Sequence, residues 1–325
     1  MRKVWVTIIT YNNIPALNTN LENLFNSDLV TSGNYEWYIE IINNHHNFQI
    51  NPEYADKVTV HHQTLRPEWS YTGFFTRDCN SAIMRAFKNL NAPLNDHLII
   101  LQDDVYVKPD FMSKLVERHN SGIEFIMSGI GDALNSFTPA AVRKIGLYDE
   151  RFQTGFHEAD YILRAIQKLG MACSISDIAH GRVWNPTDNG SFYSSNNGVD
   201  NVNDATRTMR AESDLVVCPG FTDDQIANVG KRHGTTWHEP LWHLKWGPEH
   251  RFYNWDDHFM RNVIPTLKQK TPNFILYPHF EKDIEGIYSE TYQVYLPEVF
   301  SANVHIEKPL YCNIIYNGPG ARHEW

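Results

Sequence analysis

Three short apolar runs, each closed by a polar cluster, constrain this chain more than any other feature. Val4 to Ile9 runs into Thr10-Tyr11-Asn12, Trp37 to Ile42 into Asn43-Asn44, and His97 to Leu101 into Gln102-Asp103-Asp104. Runs this apolar suit strands covered on both faces rather than half-exposed ones. Helical patterns fall between them. Pro15 opens one that carries Leu17, Leu21, Leu24 and Phe25, and Thr72 to Leu90 carries Phe75, Cys79, Ile83, Ala86 and Phe87. Strands alternating with helices predict a doubly wound, mostly parallel α/β sheet, whose ligands bind beyond the carboxyl ends of the strands. The three polar clusters share that placement.

The alternation continues to about residue 182. Lys57 to His62, Ile123 to Met127 and Ala172 to Ile178 read as strands, and Pro109 starts a helix with Phe111, Met112, Leu115 and Val116. Thr138-Pro139 forms an N-cap and first-turn pair for a short helix ending near Gly146. Glu158 to Leu169 is amphipathic, with Gly170 as its stop. Beyond this point the texture changes. Asn185 to Asn203 is rich in Asn, Gly and Ser and reads as a loop or lid, and the remainder is rich in Trp, His, Tyr and Pro. The chain therefore divides into a core over 1–182 and an aromatic-rich C-terminal extension over 183–325, expected to pack on that core.

Charge narrows the partners. The chain has 325 residues, with 28 basic against 38 acidic side chains and a net charge of −10. That balance is a poor match to a nucleic-acid backbone or an anionic membrane. No apolar run nears the roughly 20 residues that a membrane-spanning helix needs. The N-terminal apolar stretch ends in Tyr11-Asn12-Asn13 with no small-residue cleavage site, so it reads as a first strand and not as a signal peptide. Cys79, Cys173, Cys218 and Cys312 are widely spaced, which fits reduced thiols in a cytoplasmic protein better than a disulfide framework or a zinc site.

Two segments carry chemistry. Asp103 and Asp104 close a buried strand, where adjacent carboxylates are costly unless a hard cation such as Mg²⁺ or Mn²⁺ offsets them or the turn is solvated. Further on, Gly146 to Phe152 is followed by His157-Glu158-Ala159-Asp160 and by Arg164. Glu158 and Asp160 fall in a first helical turn, where the dipole favours anions. A carboxylate there serves as a general base if it faces a substrate hydroxyl, and is ordinary helix chemistry otherwise. Trp237, Trp242, Trp246 and Trp255 either stack on a sugar or pack a core. Tyr11-Asn12-Asn13-Ile14-Pro15 contains no glycine, which argues against a nucleotidyltransferase with a Gly-rich phosphate loop.

Together these segments resemble the GT-A nucleotide-sugar glycosyltransferases, in particular the family-2-like group. Val6 to Asn12 is similar to that family's first strand, and Leu101 to Val105 with Pro109-Asp110-Phe111 to its DxD strand and following helix. Gly146 to Phe152, then Glu158 to Arg164 and Gly170, is similar to its ED-x-D-L-x-x-R segment. His180-Gly181 and Gly190-Ser191 are similar to its late His and Gly-Ser stretch. The sequence departs from the pattern at four places. Gln102 replaces the first DxD acid, Asn43 replaces the acid ending the second strand, and His157-Glu158 replaces the ED pair. The segment from Gly73 to Asn80 is one residue longer than its counterpart, which favours Arg77 over Asn80 as the phosphate contact.

The resemblance implies a GT-A fold and metal-dependent transfer of a sugar, with inversion, from a UDP- or GDP-sugar to a hydroxyl of a glycan or other acceptor. Glu158 is then the general base. Thr10, Tyr11, Asn12, Asn43, Arg77, Gln102 and Asp103 contact the nucleotide-sugar, and Asp104 and His180 hold Mn²⁺ or Mg²⁺. Asp132, Asp160 and Trp184 belong to the acceptor side, which the extension helps to shape. Two alternatives stand beside this reading. A degenerate member would bind a glycan or nucleotide-sugar without transfer, as Gln102 and Asn43 suggest. A phage-type enzyme would glycosylate modified DNA, against which the charge of −10 stands.

Overall fold

A computed structural model describes residues 1–63, 75–150, 152, 157–177, 182–184, 192–194, 211–219 and 245–246. The chain begins with β1 (Arg2–Thr10), α1 (Ile14–Phe25), α2 (Asp28–Thr31), β2 (Tyr35–Asn43), α3 (Pro52–Ala55) and β3 (Thr59–His62). Then come α4 (Phe75–Phe87), β4 (His97–Gln102), β5 (Tyr106–Val107), α5 (Phe111–Asn120), β6 (Phe125–Gly129), β7 (Leu134–Phe137), α6 (Pro139–Ile145) and α7 (His157–Leu169). The strands β8 (Cys173–Asp177), β9 (Arg182–Trp184), β10 (Phe192–Ser194), β11 (Ala211–Glu212) and β12 (Val216–Cys218) follow.

Among the described residues, the main sheet has nine strands in the order β10-β9-β8-β6-β7-β4-β1-β2-β3. β1 pairs in parallel with β2 and β4, β2 with β3, and β6 with β8. β7 lies antiparallel between β4 and β6, and β8, β9 and β10 form an antiparallel ribbon. Only β7 and β9 thus run against the other strands, so the expected mostly parallel α/β sheet is present.

Side chains alternate across the sheet because the strand period is two. Val4, Val6, Ile8, Ile39, Ile41, Ile99 and Leu101 enter one core with Leu17, Leu21 and Leu24 of α1 and Phe111, Met112 and Leu115 of α5. Ile9, Ile42, Leu98 and Ile100 enter the other with residues of α4, α6 and α7. Burying each such Leu or Ile contributes about 1.5–3 kcal/mol. α6 starts where Thr138 Oγ1 accepts from the Ala141 amide at 3.1 Å. α4 stops short of Leu90 because Lys88 takes a left-handed conformation with φ 56°.

Two features depart from the simple strand–helix alternation. β7 follows β6 directly and inserts between it and β4. A second sheet, β11-β12-β5, ties residues 211–219 of the extension to the turn after Asp104. The extension also reaches the core at Lys245 and Trp246, which are both fully buried. Among the described residues, Cys79, Cys173 and Cys218 are buried, and no helix is long and apolar enough to cross a membrane.

Candidate active site

The strand register builds the site edge. Thr10 stands opposite Asn43, Ile9 opposite Gln102, and Asn43 opposite His62. The carboxyl ends of β1, β2, β3 and β4 therefore bring the sequence's polar clusters into one line.

Asp103 is the organising residue on the β1–β4 side. Its Oδ2 accepts from Thr10 Oγ1 at 2.6 Å and from the Tyr11 amide at 3.3 Å, and its Oδ1 accepts from Asn13 Nδ2 at 3.3 Å. Burial, and then the charge of neighbouring Asp104, push the Asp103 carboxyl up to about 7 against those hydrogen bonds. The loop after β1 is thus pinned to the turn after β4. Asn12 sits there in a left-handed conformation (φ 51°), and its Oδ1 accepts from Asn47 Nδ2 at 3.0 Å. The Tyr11 ring meets His45 edge-on at 5.1 Å.

A second chain of contacts leads away from the same strand. Gln102 Nε2 donates to Asp132 Oδ1 at 2.7 Å, and Asp132 Oδ2 lies 2.9 Å from His157 Nε2. His157 Nδ1 lies 3.0 Å from Glu158 Oε2. Burial pulls the imidazole's pKa down, but the Glu158 and Asp132 carboxylates outweigh it and hold the group above its ordinary value. Gly129, at φ 116°, allows the turn that carries Asp132. A Cβ there would sit 2.6 Å from Ala133 Cβ. Glu158 keeps 18% of its side chain exposed at the amino end of α7. The sequence had no signal tying His157 to Asp132, because the two are 25 residues apart.

Gln102 and Asp104 open onto a cleft whose other wall includes Ile130, Ala133, Cys218 and Pro219. The extension therefore forms part of the rim. Arg77 is exposed in the first turn of α4, while its neighbour Asp78 is buried and accepts from Asn44 Nδ2 at 2.6 Å. Asn80 is structural. It accepts from the Tyr148 amide at 2.7 Å and donates to Tyr148 O at 2.9 Å and Glu150 Oε1 at 3.1 Å, clamping the Gly146–Phe152 segment.

Three expected positions behave differently. Asp160, expected at the acceptor, faces inward and is 1% exposed. Its oxygens meet Arg164 Nε at 3.0 Å, Lys245 Nζ at 2.6 Å and Trp246 Nε1 at 3.0 Å. Trp246, one of the tryptophans weighed as a sugar platform, is thereby a core residue. Asn43 is buried, and its amide orders its own loop through His45 O (2.6 Å), the His45 amide (3.1 Å) and His62 Nδ1 (3.0 Å). His180, Trp237, Trp242, Trp255 and Gly190-Ser191 lie outside the described residues, and of Trp184 only the backbone in β9 is described.

Among the described residues, no three His, Cys, Asp or Glu side chains form a ready-made metal cluster. The donor set nevertheless suits a hard divalent cation. Asp103 and Asp104 present adjacent carboxylates, with burial and then the Asp104 charge raising the Asp103 pKa, and oxygen ligands are what Mg²⁺ or Mn²⁺ prefers. Asp103 is held by its hydrogen bonds to the β1 loop, which leaves Asp104, on the cleft, as the residue that would hold such an ion together with substrate oxygens.

No protein-family model matches the chain, and no curated protein matches it significantly. Among solved structures, S. aureus TarS 1–349 in complex with UDP aligns over 55% of this chain and 58% of its own, with 12% identity and a TM-score of 0.39. Another TarS structure aligns over 52% of this chain and 34% of its own, with 11% identity and a TM-score of 0.38. The mannosyltransferase PcManGT from Pyrobaculum calidifontis, in complex with GDP-Man and Mn²⁺, aligns over 54% of this chain and 56% of its own, with 10% identity and a TM-score of 0.36. In each case the match spans less than two thirds of the other chain's length. The likeness is one of α/β arrangement alone.

Proposed function

We propose that the chain is a GT-A nucleotide-sugar glycosyltransferase. It moves a sugar from a UDP- or GDP-sugar to an acceptor hydroxyl with inversion at the anomeric carbon. One observation carries this reading. Buried Asp103 and half-buried Asp104, just past the end of β4, are connected to the Glu158 carboxylate at the start of α7 by a run of contacts through Gln102, Asp132 and His157. A donor-phosphate acid pair and a partly exposed base, set apart but mechanically linked, are what a single displacement requires.

Each residue has a task in that displacement. Asp103, braced by Thr10 and Tyr11, orients the ribose side of the donor, and Arg77 reaches the diphosphate. Asp104 would hold Mn²⁺ or Mg²⁺, with His180 as the further ligand implied by the resemblance. When bound, the ion offsets charge on the diphosphate leaving group. Glu158 takes the proton from the acceptor oxygen as that oxygen bonds to the anomeric carbon. The carbon–phosphate oxygen bond breaks on the opposite face, and its electron pair leaves with the nucleoside diphosphate. Residues 183–325 complete the acceptor side, as Cys218 and Pro219 on the cleft wall suggest.

A second reading has one observation in its favour. Gln102 stands where a metal-binding acid is expected, and its amide is committed to Asp132. That would suit a protein that binds a nucleotide-sugar without transferring it. A donor screen separates the two. Nucleoside diphosphate release is followed from UDP-, GDP- and TDP-sugars with Mn²⁺, with Mg²⁺ and with a chelator. Metal-dependent turnover of one donor is expected. A nucleotide-induced rise in Tm without turnover would support the second reading, and silence in both assays would remove both.

A further inference from the structure

We propose that the donor's sugar carries an acylamino group, whose amide N–H donates to Gln102 Oε1 and whose methyl group meets the apolar wall of the cleft. This rests on the nucleotide-sugar reading of that cleft. Gln102 supplies a fixed acceptor. The Asp132 carboxylate only accepts, so the 2.7 Å contact puts the amide nitrogen of Gln102 on Asp132 and turns Oε1 away from it. Among the described residues Oε1 has no hydrogen-bond partner, yet it keeps contact with solvent, and Gln102 lines the cleft beside Asp104. The backbone at Gln102 is held on both sides. Its amide donates to Ala133 O at 3.1 Å, and its carbonyl accepts from Asn20 Nδ2 at 2.9 Å.

The rest of the lining is apolar. Val105 comes from the turn after β4, Ile130 and Ala133 from the β6–β7 loop, and Cys218 and Pro219 from the end of β12. Val105, Ala133 and Cys218 are buried, so this wall is packed and not loose. Gly129 permits the packing, since a Cβ there would lie 2.6 Å from Ala133 Cβ and 3.4 Å from Cys218 Sγ. Pairing of Val216 with Val107 holds Cys218 against the same turn. A sugar with hydroxyl groups alone would face this wall with oxygens that find no partner there, which costs free energy. A deoxy sugar would fill the wall, but its rotatable hydroxyls serve water as well as Oε1 and give the acceptor nothing to select. An acylamino group suits both halves of the lining at once. Its N–H donates and never accepts, and its methyl group needs no hydrogen bond.

The test is kcat/KM of the full chain on matched donors, UDP-N-acetylglucosamine against UDP-glucose and UDP-N-acetylgalactosamine against UDP-galactose. GDP-mannose and TDP-rhamnose serve as further competitors. An acylamino donor is expected to lead by ~10²-fold or more, because one methyl-sized group in an apolar pocket gives about 10–200-fold and the hydrogen bond adds to it. Gln102→Leu and Ile130→Asn should each shrink the ratio within the preferred pair by about tenfold. Both donors meet the same folded fraction, so that ratio does not report lost stability. Equal kcat/KM within the pairs, preference for a hydroxyl or deoxy donor, or a ratio unchanged in both variants would overturn the inference. Calorimetric titration of the same donors with Mn²⁺ needs no turnover. Tighter binding of the acylamino member without transfer would uphold the inference while refuting the transferase reading, and no binding of any donor would remove both.

Discussion

Lys245 Nζ lies 2.6 Å from Asp160 Oδ1, with neither side chain more than 1% exposed. The same ammonium lies 2.9 Å from Asp149 Oδ2, which is also fully buried. A residue from the C-terminal third thus neutralises two acids of the first 182 residues. Removing one partner of such a buried set leaves charge without compensation, at a cost of about 3–5 kcal/mol. Lys245→Ala should therefore lower Tm strongly, and a chain ending at residue 219 should do the same. Thermal denaturation checks both. A Lys245→Ala protein that melts like the wild type would show that the two acids do not depend on Lys245.

Gln102→Glu restores an acid where the DxD pattern has one. If Gln102 were only a weakened metal ligand, this change would raise metal affinity and rate. The structure gives the opposite expectation, because Gln102 Nε2 donates to Asp132 Oδ1 and a carboxylate there would face another carboxylate. A hydrogen bond to a charged group contributes about 1.5–3 kcal/mol, which corresponds to roughly ten- to a hundredfold in rate if the loss is felt in the transition state. Steady-state kinetics at saturating Mn²⁺ decide the sign. A faster Gln102→Glu enzyme would contradict the role assigned to the amide.

Glu158→Gln keeps size and removes basicity. Transfer should slow by about 10²–10⁴-fold, while nucleotide binding stays within a small factor of wild type, because the residues proposed to contact the nucleotide lie away from Glu158, at the ends of β1 and β4. Calorimetric titration with nucleoside diphosphate, run beside the rate assay, separates the two effects. Weakened nucleotide binding with unchanged turnover would move Glu158 to the donor side.

Much of this site was legible because strand ends are local. The runs into Thr10, Asn43 and Gln102 mark buried strands by their apolar content, and parallel pairing then lines up their ends. The amphipathic stripe of α7 and the Thr138 cap were readable for the same reason. What stayed hidden depends on distant partners. β7 is four residues long, with Asn135 and Ser136 at its centre, so it lacks an apolar signature although every residue is buried. Ser136 bonds to His119, 17 residues away. Asp160 carries the mark of an exposed helix start, and only Lys245 and Trp246, more than 80 residues on, turn it into a core residue.

At the opposite end of the sheet, two histidines set an acid limit on stability. The rings of His97 and His119 stack at 4.6 Å. His97 Nε2 lies 3.0 Å from Arg2 Nη1, a donor that only an unprotonated nitrogen can accept. His119 Nδ1 donates to Ile123 O at 2.7 Å, and its Nε2 lies 2.9 Å from Ser136 Oγ. Burial, then the neighbouring His119 and Arg2 charges, pull His97 from 6.5 down to about 3. Burial pulls His119 from 6.5 down to about 4, against the hydrogen bond to Ile123 and with a smaller push from Arg2. The unfolded chain therefore binds protons at both residues below pH 6.5, where the folded protein still excludes them. Their contribution is whole above pH 6.5 and is lost as pH falls toward 4, at about 1.4 kcal/mol per pH unit for each ring. Tm measured from pH 7 to pH 4 should fall steeply in the wild type and less steeply in a His97→Gln/His119→Gln variant. Parallel curves for the two proteins would assign the acid limit to other groups.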